Sequence, residues 1–389
     1  MQSVIIGPNQ AGQRLDKFLR KYLPLAGNGF LYRMLRRKNI LLNGRKAEGR
    51  EILSIGDEVK VFFSDETFVT FSGRELPKAD IKSAPEPEPG TALKANIDTE
   101  PEAAMETAPK GPRRTDQKGH RQEAKSEYKA AYAGLSGIGI LYENEDLLIL
   151  NKPCGVLTQK AAAADLSLNE WMIGYLLDRD PGLVRDLPTF RPSVCNRLDR
   201  NTSGIVLCGK SLAGSQYLSR CIRERTIRKF YRTICAGALR AEASIEGWLV
   251  KNEAKNRVTI SKEPASGASW EGASPIHTVY SPIAVTEDYT LLEVELITGK
   301  PHQIRAHLAS VGHPLIGDYK YGSKSVNDIL KKKYGLEHQL LHACRAQFPE
   351  AESGPGKPLS HKSIYAPEPD LFLALESGLF KNANHAGKT

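Results

Sequence analysis

The stretch Asn196-Arg197-Leu198-Asp199-Arg200-Asn201-Thr202-Ser203-Gly204 puts one carboxylate inside a basic pair, closes on a small polar turn and runs into the apolar segment Ile205-Val206-Leu207-Cys208. Thr, Ser and Gly suit a tight turn, and the β-branched residues after them read as a strand entering a core. Asp199 is therefore expected on a loop at a sheet edge, flanked by Arg197 and Arg200. Taken alone, such an Asp more often caps a turn or pairs with a neighbouring Arg than carries chemistry.

Around this loop the chain reads as a globular α+β domain over 135–380. Ile138–Tyr142 and Leu147–Leu150 are predicted to be two strands of a hairpin, followed by the rigid turn of Asn151-Lys152-Pro153-Cys154-Gly155. Leu168–Leu177 is an apolar helix ended by Asp180-Pro181-Gly182, and Ser211 to about Arg225 is a basic helix. Strands are expected over Lys229–Cys235, Asn256–Ile260, Ile276–Ile283 and Leu291–Ile297, with a Gly/Ser/Ala-rich loop over 262–274. His302–Val311 reads as a helix with Ile304, Leu308 and Val311 inward, ended by Gly312. Strands outnumber helices without strict alternation, which gives a mixed, largely antiparallel sheet.

Four segments of this domain resemble the RluA-type pseudouridine synthases. Arg197-Leu198-Asp199…Thr202-Ser203-Gly204 is similar to their signature loop, with Asn196 where the family usually has His. Asn151-Lys152-Pro153-Cys154-Gly155 resembles the first family motif, and Lys229-Phe230-Tyr231 the second. Thr298-Gly299-Lys300-Pro301-His302-Gln303-Ile304-Arg305-Ala306-His307 resembles the third, with Lys300 in place of Arg. The resemblance, over about 137–375, implies a bent central sheet with the cleft on one face. It implies that Asp199 is catalytic, that Tyr231 stacks on the target base and that Arg305 pairs with Asp199. It also implies that Arg197 enters the RNA as that base flips. Physically, a carboxylate shut into a cleft needs a cation to stay ionised. A planar guanidinium can also both stack and hydrogen-bond. Arg220, Arg223, Arg225, Arg228, Lys229 and Arg232 are expected to track phosphates, unless they form only a solvated face. His302 and His307 stand five apart, not at the four-residue spacing of helical zinc ligands, so a core or RNA-contacting role is favoured over metal. The segments Gly312–Asp318 and Leu340–Ala343 read as structural.

Residues 1–71 form a second unit. Within 1–63 there are twelve Lys or Arg against five Asp or Glu. Leu15, Phe18, Leu19, Tyr22 and Leu23 form the stripe of an amphipathic helix stopped by Pro24. A second helix, with Asn28 as N-cap, turns Leu31, Met34 and Leu35 inward and Arg33, Arg36 and Arg37 outward. Asn43-Gly44 is a hairpin turn signal, and Val59–Phe62 alternates as a strand. Two helices and a small sheet in this order resemble the S4 RNA-binding domain, a small α/β module. Arg14, Lys17, Arg33, Arg36, Arg37 and Lys38 are then the candidate RNA contacts. Between the units, 72–134 is rich in Pro, Glu, Lys, Ala and Thr and too poor in apolar residues to offset backbone ordering. It reads as a disordered linker, with a helical spacer the alternative near Lys118–Ala133. Residues 381–389 read as a flexible tail.

The chain has 389 residues, a formal charge of +9 and 40% hydrophobic residues, which points to two or three domains and a polyanionic partner. Its six Cys are scattered, with no C-x-x-C pair, which argues against a disulfide framework or zinc ribbon and fits a reducing cytoplasm. Met1–Pro8 does not read as a signal peptide, and no uncharged apolar run approaches the ~18 residues that span a bilayer. The expected function is isomerisation of specific uridines to pseudouridine in RNA, in particular large-subunit ribosomal RNA, by a monomer. The reaction changes no oxidation state and transfers no group, so neither cofactor nor metal is expected. One rival is an RNA-binding protein whose catalytic domain is dead. The other is a glycosidase, which normally needs two carboxylates at a set separation.

Overall fold

The computed structural model describes residues 1–73, 126–252, 257–263, 272–381 and 384–385. The expected linker over about 72–125, much of the 262–274 loop and the 386–389 tail lie outside the described residues. Two units emerge: Met1–Ile6 with Gly12–Ala124, and Gly7–Ala11 with Lys125–Thr389. Each is described by itself.

The first unit runs β1 (Gln2–Ile5), α1 (Leu15–Tyr22), α2 (Asn28–Arg36), β2 (Ile40–Leu42), β3 (Arg45–Lys46), β4 (Glu58–Val61) and α3 (Asp65–Ser72). Its sheet is antiparallel in the order β1-β4-β2-β3. Leu15, Phe18, Leu19, Tyr22 and Leu23 are all buried, so the predicted stripe is the core face of α1. Asn43 and Gly44 close the β2–β3 turn with φ of 51° and 71°, the pair of left-handed conformations a two-residue hairpin needs. The N-cap of α2 is Gly27 and not Asn28, and it makes no side-chain cap. Strand β1 was not expected, because Gln2–Ile5 alternates only weakly.

In the second unit a helix over 126–134, α4, precedes β5 (Gly139–Glu143), β6 (Leu147–Lys152), α5 (Leu168–Arg179), β7 (Ser193–Val194) and β8 (Ser203–Gly209). Then come α6 (Leu212–Arg223), β9 (Arg228–Ala236), β10 (Ala243–Asn252), β11 (Arg257–Ser261), β12 (Ser274–Val285) and β13 (Tyr289–Leu296). The rest is α7 (Gln303–Ser310), α8 (Lys324–Tyr334), β14 (Leu341–Gln347), β15 (Ser363–Tyr365), α9 (Asp370–Leu379) and β16 (Asn384–His385). The linker reading is therefore corrected at its C-terminal end. Tyr128 and Ala131 of α4 are buried, and Tyr132 lies against Trp171 of α5. That crossing is close because α5 has Gly174 there: a Cβ at this position would meet the Tyr128 carbonyl oxygen at 2.3 Å.

The strands form one sheet in the order β11-β10-β12-β13-β9-β14-β8-β6-β5, with β7, β15 and β16 pairing beside it. Among the described pairs only β8–β14 is parallel. The α+β architecture with a mixed, largely antiparallel sheet is as expected from the sequence. Leu330 of α8 and Phe372 and Leu375 of α9 pack on Ile234 and Leu291 of the central strands. Each such side chain stabilises the fold by about 1.5–3 kcal/mol when fully buried. Helix α7 begins one residue late, and Val311, expected inward, is 36% exposed because the helix has already ended at Ser310. No helix among the described residues is long and apolar enough to cross a membrane.

Candidate active site

β7 and β8 pair as a hairpin, with Val194 opposite Cys208, and Asp199 stands in the loop between them. Gly204 lets β8 begin where it does. Its φ is +106°, and a Cβ there would meet the Ala343 carbonyl oxygen of β14 at 2.3 Å. The loop itself is braced from three sides. Asn196 Oδ1 accepts from Leu207 N at 2.7 Å and its Nδ2 donates to the Ile205 carbonyl at 3.2 Å. The amide thus holds the loop to β8, so the missing His leaves no loose end. Thr158 Oγ1 donates to the Leu198 carbonyl at 2.8 Å and accepts from Leu198 N at 3.2 Å.

The third brace is the Asn151–Gly155 turn. Lys152 is fully buried, and its Nζ donates to the carbonyls of Pro153, Val156 and Arg200, at 3.0, 2.8 and 2.9 Å. Gly155 N donates to the Arg200 carbonyl and Arg200 Nε returns a bond to the Gly155 carbonyl. Burial pushes the Lys152 ammonium down to about 8, against the opposing pull of Cys154 and Asp199. A lysine read from sequence as part of a turn is thus the peg on which the residue after Asp199 hangs.

Arg305 approaches from the first turns of α7. Its Nη1 donates to Asp199 Oδ2 at 2.9 Å. Its Nε and Nη2 grip Asp318 at 2.7 and 3.0 Å. The Arg305 side chain is 8% exposed, Asp318 is closed off, and Asp199 is 27% exposed. Burial opposes the charge on Arg305, but the hydrogen bond and charge of Asp318, then Asp199, hold it protonated above its ordinary value. Asp318 also accepts from Lys320 N and Tyr321 N, at 2.9 and 3.2 Å, which completes its ligation. Sequence reading placed Asp318 in a structural segment and so missed it. The signal available was an Asp three residues before a Tyr in a glycine-flanked turn, which carries no specific meaning without the fold.

Tyr231 lies on β9 with Phe230 turned to the other face, as alternation requires. Both are buried, Tyr231 at 5% exposure. Burial first, and then the nearby Asp199 charge, push its phenol well above the usual range. Arg197 is exposed, with no partner among the described residues. The structure brings Asp199, Arg305 and Tyr231 together and adds Asp318 and His302. It does not supply the expected cationic track in full. Arg232 is held by Glu368 and Glu376 of the α9 region, at 2.8 and 3.0 Å, and Arg228 by Glu295 at 2.7 Å. These two charges are already compensated inside the protein, a correction to the expectation that they follow phosphates. In the first unit Arg14 is likewise engaged by Asp16 at 3.1 Å, whereas Lys17, Arg33, Arg36, Arg37 and Lys38 are exposed without an ion pair among the described residues.

The family described as RNA pseudouridylate synthase matches residues 146–310. The ribosomal large subunit pseudouridine synthase C of Vibrio cholerae serotype O1 is 26% identical over 354 residues, covering 90% of this chain and 89% of the relative. The protein of the same name from Escherichia coli strain K12 is 27% identical over 361 residues, with the same coverage of both chains. The solved human RNA pseudouridylate synthase domain containing 4 has 21% identity and a TM-score of 0.48, covering 68% of this chain and 99% of that one. The family match takes in the Lys152 turn, the Asp199 loop, Tyr231 and the Arg305 helix, the segments that converge around Asp199 in the second unit, and residues 146–310 are an RNA pseudouridylate synthase domain, the catalytic unit of enzymes that isomerise uridine in RNA.

Proposed function

We propose that this protein converts specific uridines of large-subunit ribosomal RNA to pseudouridine in the cytoplasm, with Asp199 as the essential carboxylate. The ribosomal substrate rests on the names of the full-length relatives above. In the reaction the C1′–N1 bond breaks, the uracil turns while held, and C1′ joins C5. C5 loses a proton and N1 gains one, so atoms and electrons balance without a co-reactant. Asp199 acts either as nucleophile at C1′ or as base toward a ribose proton. Arg305 orients it through the bond to Oδ2, Tyr231 supports the base, and Arg197 takes the space the base leaves. Base–aromatic stacking contributes about 1–3 kcal/mol. At 5% exposure Tyr231 becomes available only when the side chains over it part for the incoming base.

The observation that carries this reading is the Arg305–Asp199 bond at 2.9 Å, with the second carboxylate, Asp318, wholly occupied. A glycosidase would need that second carboxylate to reach substrate, and it is closed off. The exposed cations of the first unit, in an S4-like arrangement, supply affinity for the phosphate backbone. All six cysteines are free thiols, which suits a reducing compartment.

The test is tritium release from RNA labelled at uridine C5, which every completed isomerisation liberates. Asp199→Asn keeps the shape and removes both charge and basicity, so release should fall by orders of magnitude while RNA binding survives. Tyr231→Phe should be milder, because the ring is retained. Near-normal release by Asp199→Asn, with contaminating wild type excluded, would sink the assignment.

A further inference from the structure

His302 was set aside in the sequence as a core or RNA-contacting residue. In the structure its ring lies beside Asp199. His302 occupies the left-handed region, φ 54°, at the N-cap of α7. This conformation is uncommon for a residue with a side chain and persists where neighbours enforce it. Here they do. Gln303 Oε1 accepts from Thr298 Oγ1 and Lys300 N, at 2.8 and 3.1 Å, and its Nε2 donates to the His277 carbonyl and Thr278 Oγ1, both at 3.0 Å. The turn that carries His302 is therefore fixed, with Nε2 on the side of Asp199.

The ring's protonation pattern follows from its partner. Tyr321 Oη accepts from Val258 N at 3.0 Å, and it lies 2.9 Å from His302 Nδ1. Among the described residues Nδ1 is the one acceptor that the Tyr321 hydroxyl meets, so we assign the phenol's proton to it. Nδ1 is then the acceptor, and the neutral imidazole carries its hydrogen on Nε2. Burial, opposed by Asp199, pushes the ring below its ordinary value, so it is neutral near pH 7. The Nε2–H stands 3.9 Å from Asp199 Oδ2, too far for a direct hydrogen bond. An oxygen about 2.8 Å from each atom fits between them, if it can accept from one and donate to the other. A hydroxyl does both.

We propose that His302 Nε2–H and Asp199 Oδ2 together hold the 2′-hydroxyl of the target nucleotide, which makes His302 a residue that tells RNA from DNA. An internal RNA nucleotide has its 3′ and 5′ oxygens esterified, so the 2′-hydroxyl is the one ribose hydroxyl it can present. That hydroxyl is on the carbon next to C1′, where the glycosidic bond breaks, and a carboxylate serving C1′ is within its reach. Recognition through the 2′-hydroxyl is also the direct way a protein separates the two polymers at a single site. The inference rests on the uridine-isomerase reading and names one contact within it.

The experiment first maps the pseudouridines that the full-length wild-type protein makes in transcribed large-subunit ribosomal RNA. Synthetic RNAs of one mapped site, with the target as uridine or 2′-deoxyuridine, are then compared for wild type, His302→Ala and His302→Gln. Single-turnover rate and binding affinity are both measured. His302→Ala should lose about tenfold on the ribose substrate, as expected for one hydrogen bond to a polar group, and less than twofold on the deoxy substrate. His302→Gln, which keeps a donor, should recover most of the loss. If the deoxy RNA is not turned over, the affinity comparison carries the same contrast. Equal losses on both RNAs, or no loss on the ribose RNA, would overturn the 2′-hydroxyl contact while leaving the isomerase reading intact. No pseudouridine from the wild type would overturn that reading, and this inference with it.

Discussion

Asp318 is the residue whose loss should tell most about the site, because its stability and catalytic effects separate. Its carboxylate is closed off from solvent and accepts four hydrogen bonds, two from Arg305 and two from backbone N–H groups of Lys320 and Tyr321. Asp318→Asn removes the charge and turns an NH₂ toward donors. Breaking a buried ion pair by removing one partner costs about 3–5 kcal/mol, since the other charge is left uncompensated. Arg305 keeps its bond to Asp199, so the lower end, ~3 kcal/mol, applies. At about 2–4 °C per kcal/mol for a unit of this size, the melting transition of the second unit should fall by about 6–12 °C. With the amide oxygen in the Oδ1 position, Arg305 would lose its Nε bond and its buried counter-charge and keep two hydrogen bonds where it had three. Turnover should drop by about 10–100-fold at saturating RNA, as misplacement of a positioning group does.

A second substitution tests the cause. Arg305→Met removes the stranded cation and keeps an unbranched apolar stem of similar reach. If the cost of Asp318→Asn is an uncompensated guanidinium, the double variant should melt above Asp318→Asn alone, while turnover stays low. Calorimetry and C5 tritium release measure the two effects. A single variant within about a degree of wild type, or a double variant lowered by the sum of the two singles, would refute the ion-pair account.

Arg305→Ala should lower turnover and fail to add fully to Asp199→Asn, since the two side chains act through one contact; tritium release from the double variant decides this. Gly204→Ala should destabilise the second unit severely or prevent its folding, because the new Cβ would stand 2.3 Å from the Ala343 carbonyl oxygen at a φ of +106°; soluble yield and melting temperature report it. Burial pushes His307 down to about 4, so in the window from about 6.5 to 4 the unfolded chain binds a proton that the folded chain refuses. The contribution of His307 is therefore fully present above about pH 6.5 and lost as the pH falls toward 4, and His307→Asn should flatten the loss of stability over that window in urea titrations. Replacing Arg33, Arg36 and Arg37 together by Gln should leave turnover on saturating RNA nearly unchanged. It should reduce the log–log salt slope of RNA binding by about 2–3, at 0.7–0.9 per lost phosphate contact; an unchanged slope would show that these side chains face no phosphate.

What was legible in the sequence is what contiguous residues determine. The Asp199 loop, the Tyr231 strand and the Arg305 helix each announce themselves within ten residues, and their convergence was implied by resemblance. The β2–β3 turn and the α1 stripe were legible for the same reason, since local sterics and period decide them. The misses are long-range. Asp318 looks like an ordinary turn residue until the fold brings Arg305 onto it. Arg228 and Arg232 look like free cations because Glu295, Glu368 and Glu376 stand far off in the chain. Strand β10 escaped notice because Gly247 interrupts its alternation, and α4 was read only as an alternative to linker, near Lys118–Ala133, because it adjoins a segment of linker-like composition.

The two carboxylates on Arg305 are not equivalent, and the difference explains why the site uses both. A guanidinium that is 8% exposed needs a compensating charge whether or not RNA is bound. If Asp199 alone supplied it, the pair would be neutral, and the carboxylate facing the substrate would have its charge cancelled before any bond breaks. Asp318 takes two of the three hydrogen bonds that Arg305 makes to carboxylates and stays closed off. The trio then carries a net charge of one negative unit, and its exposed end is Asp199, with Oδ1 free of protein hydrogen bonds among the described residues. On the proposed chemistry, positive character grows at C1′ as the C1′–N1 bond lengthens. A fixed negative charge already in place there stabilises that state without solvent reorganisation. Asp318 thus acts at a distance from the substrate: by satisfying Arg305, it lets Arg305 orient Asp199 without neutralising it.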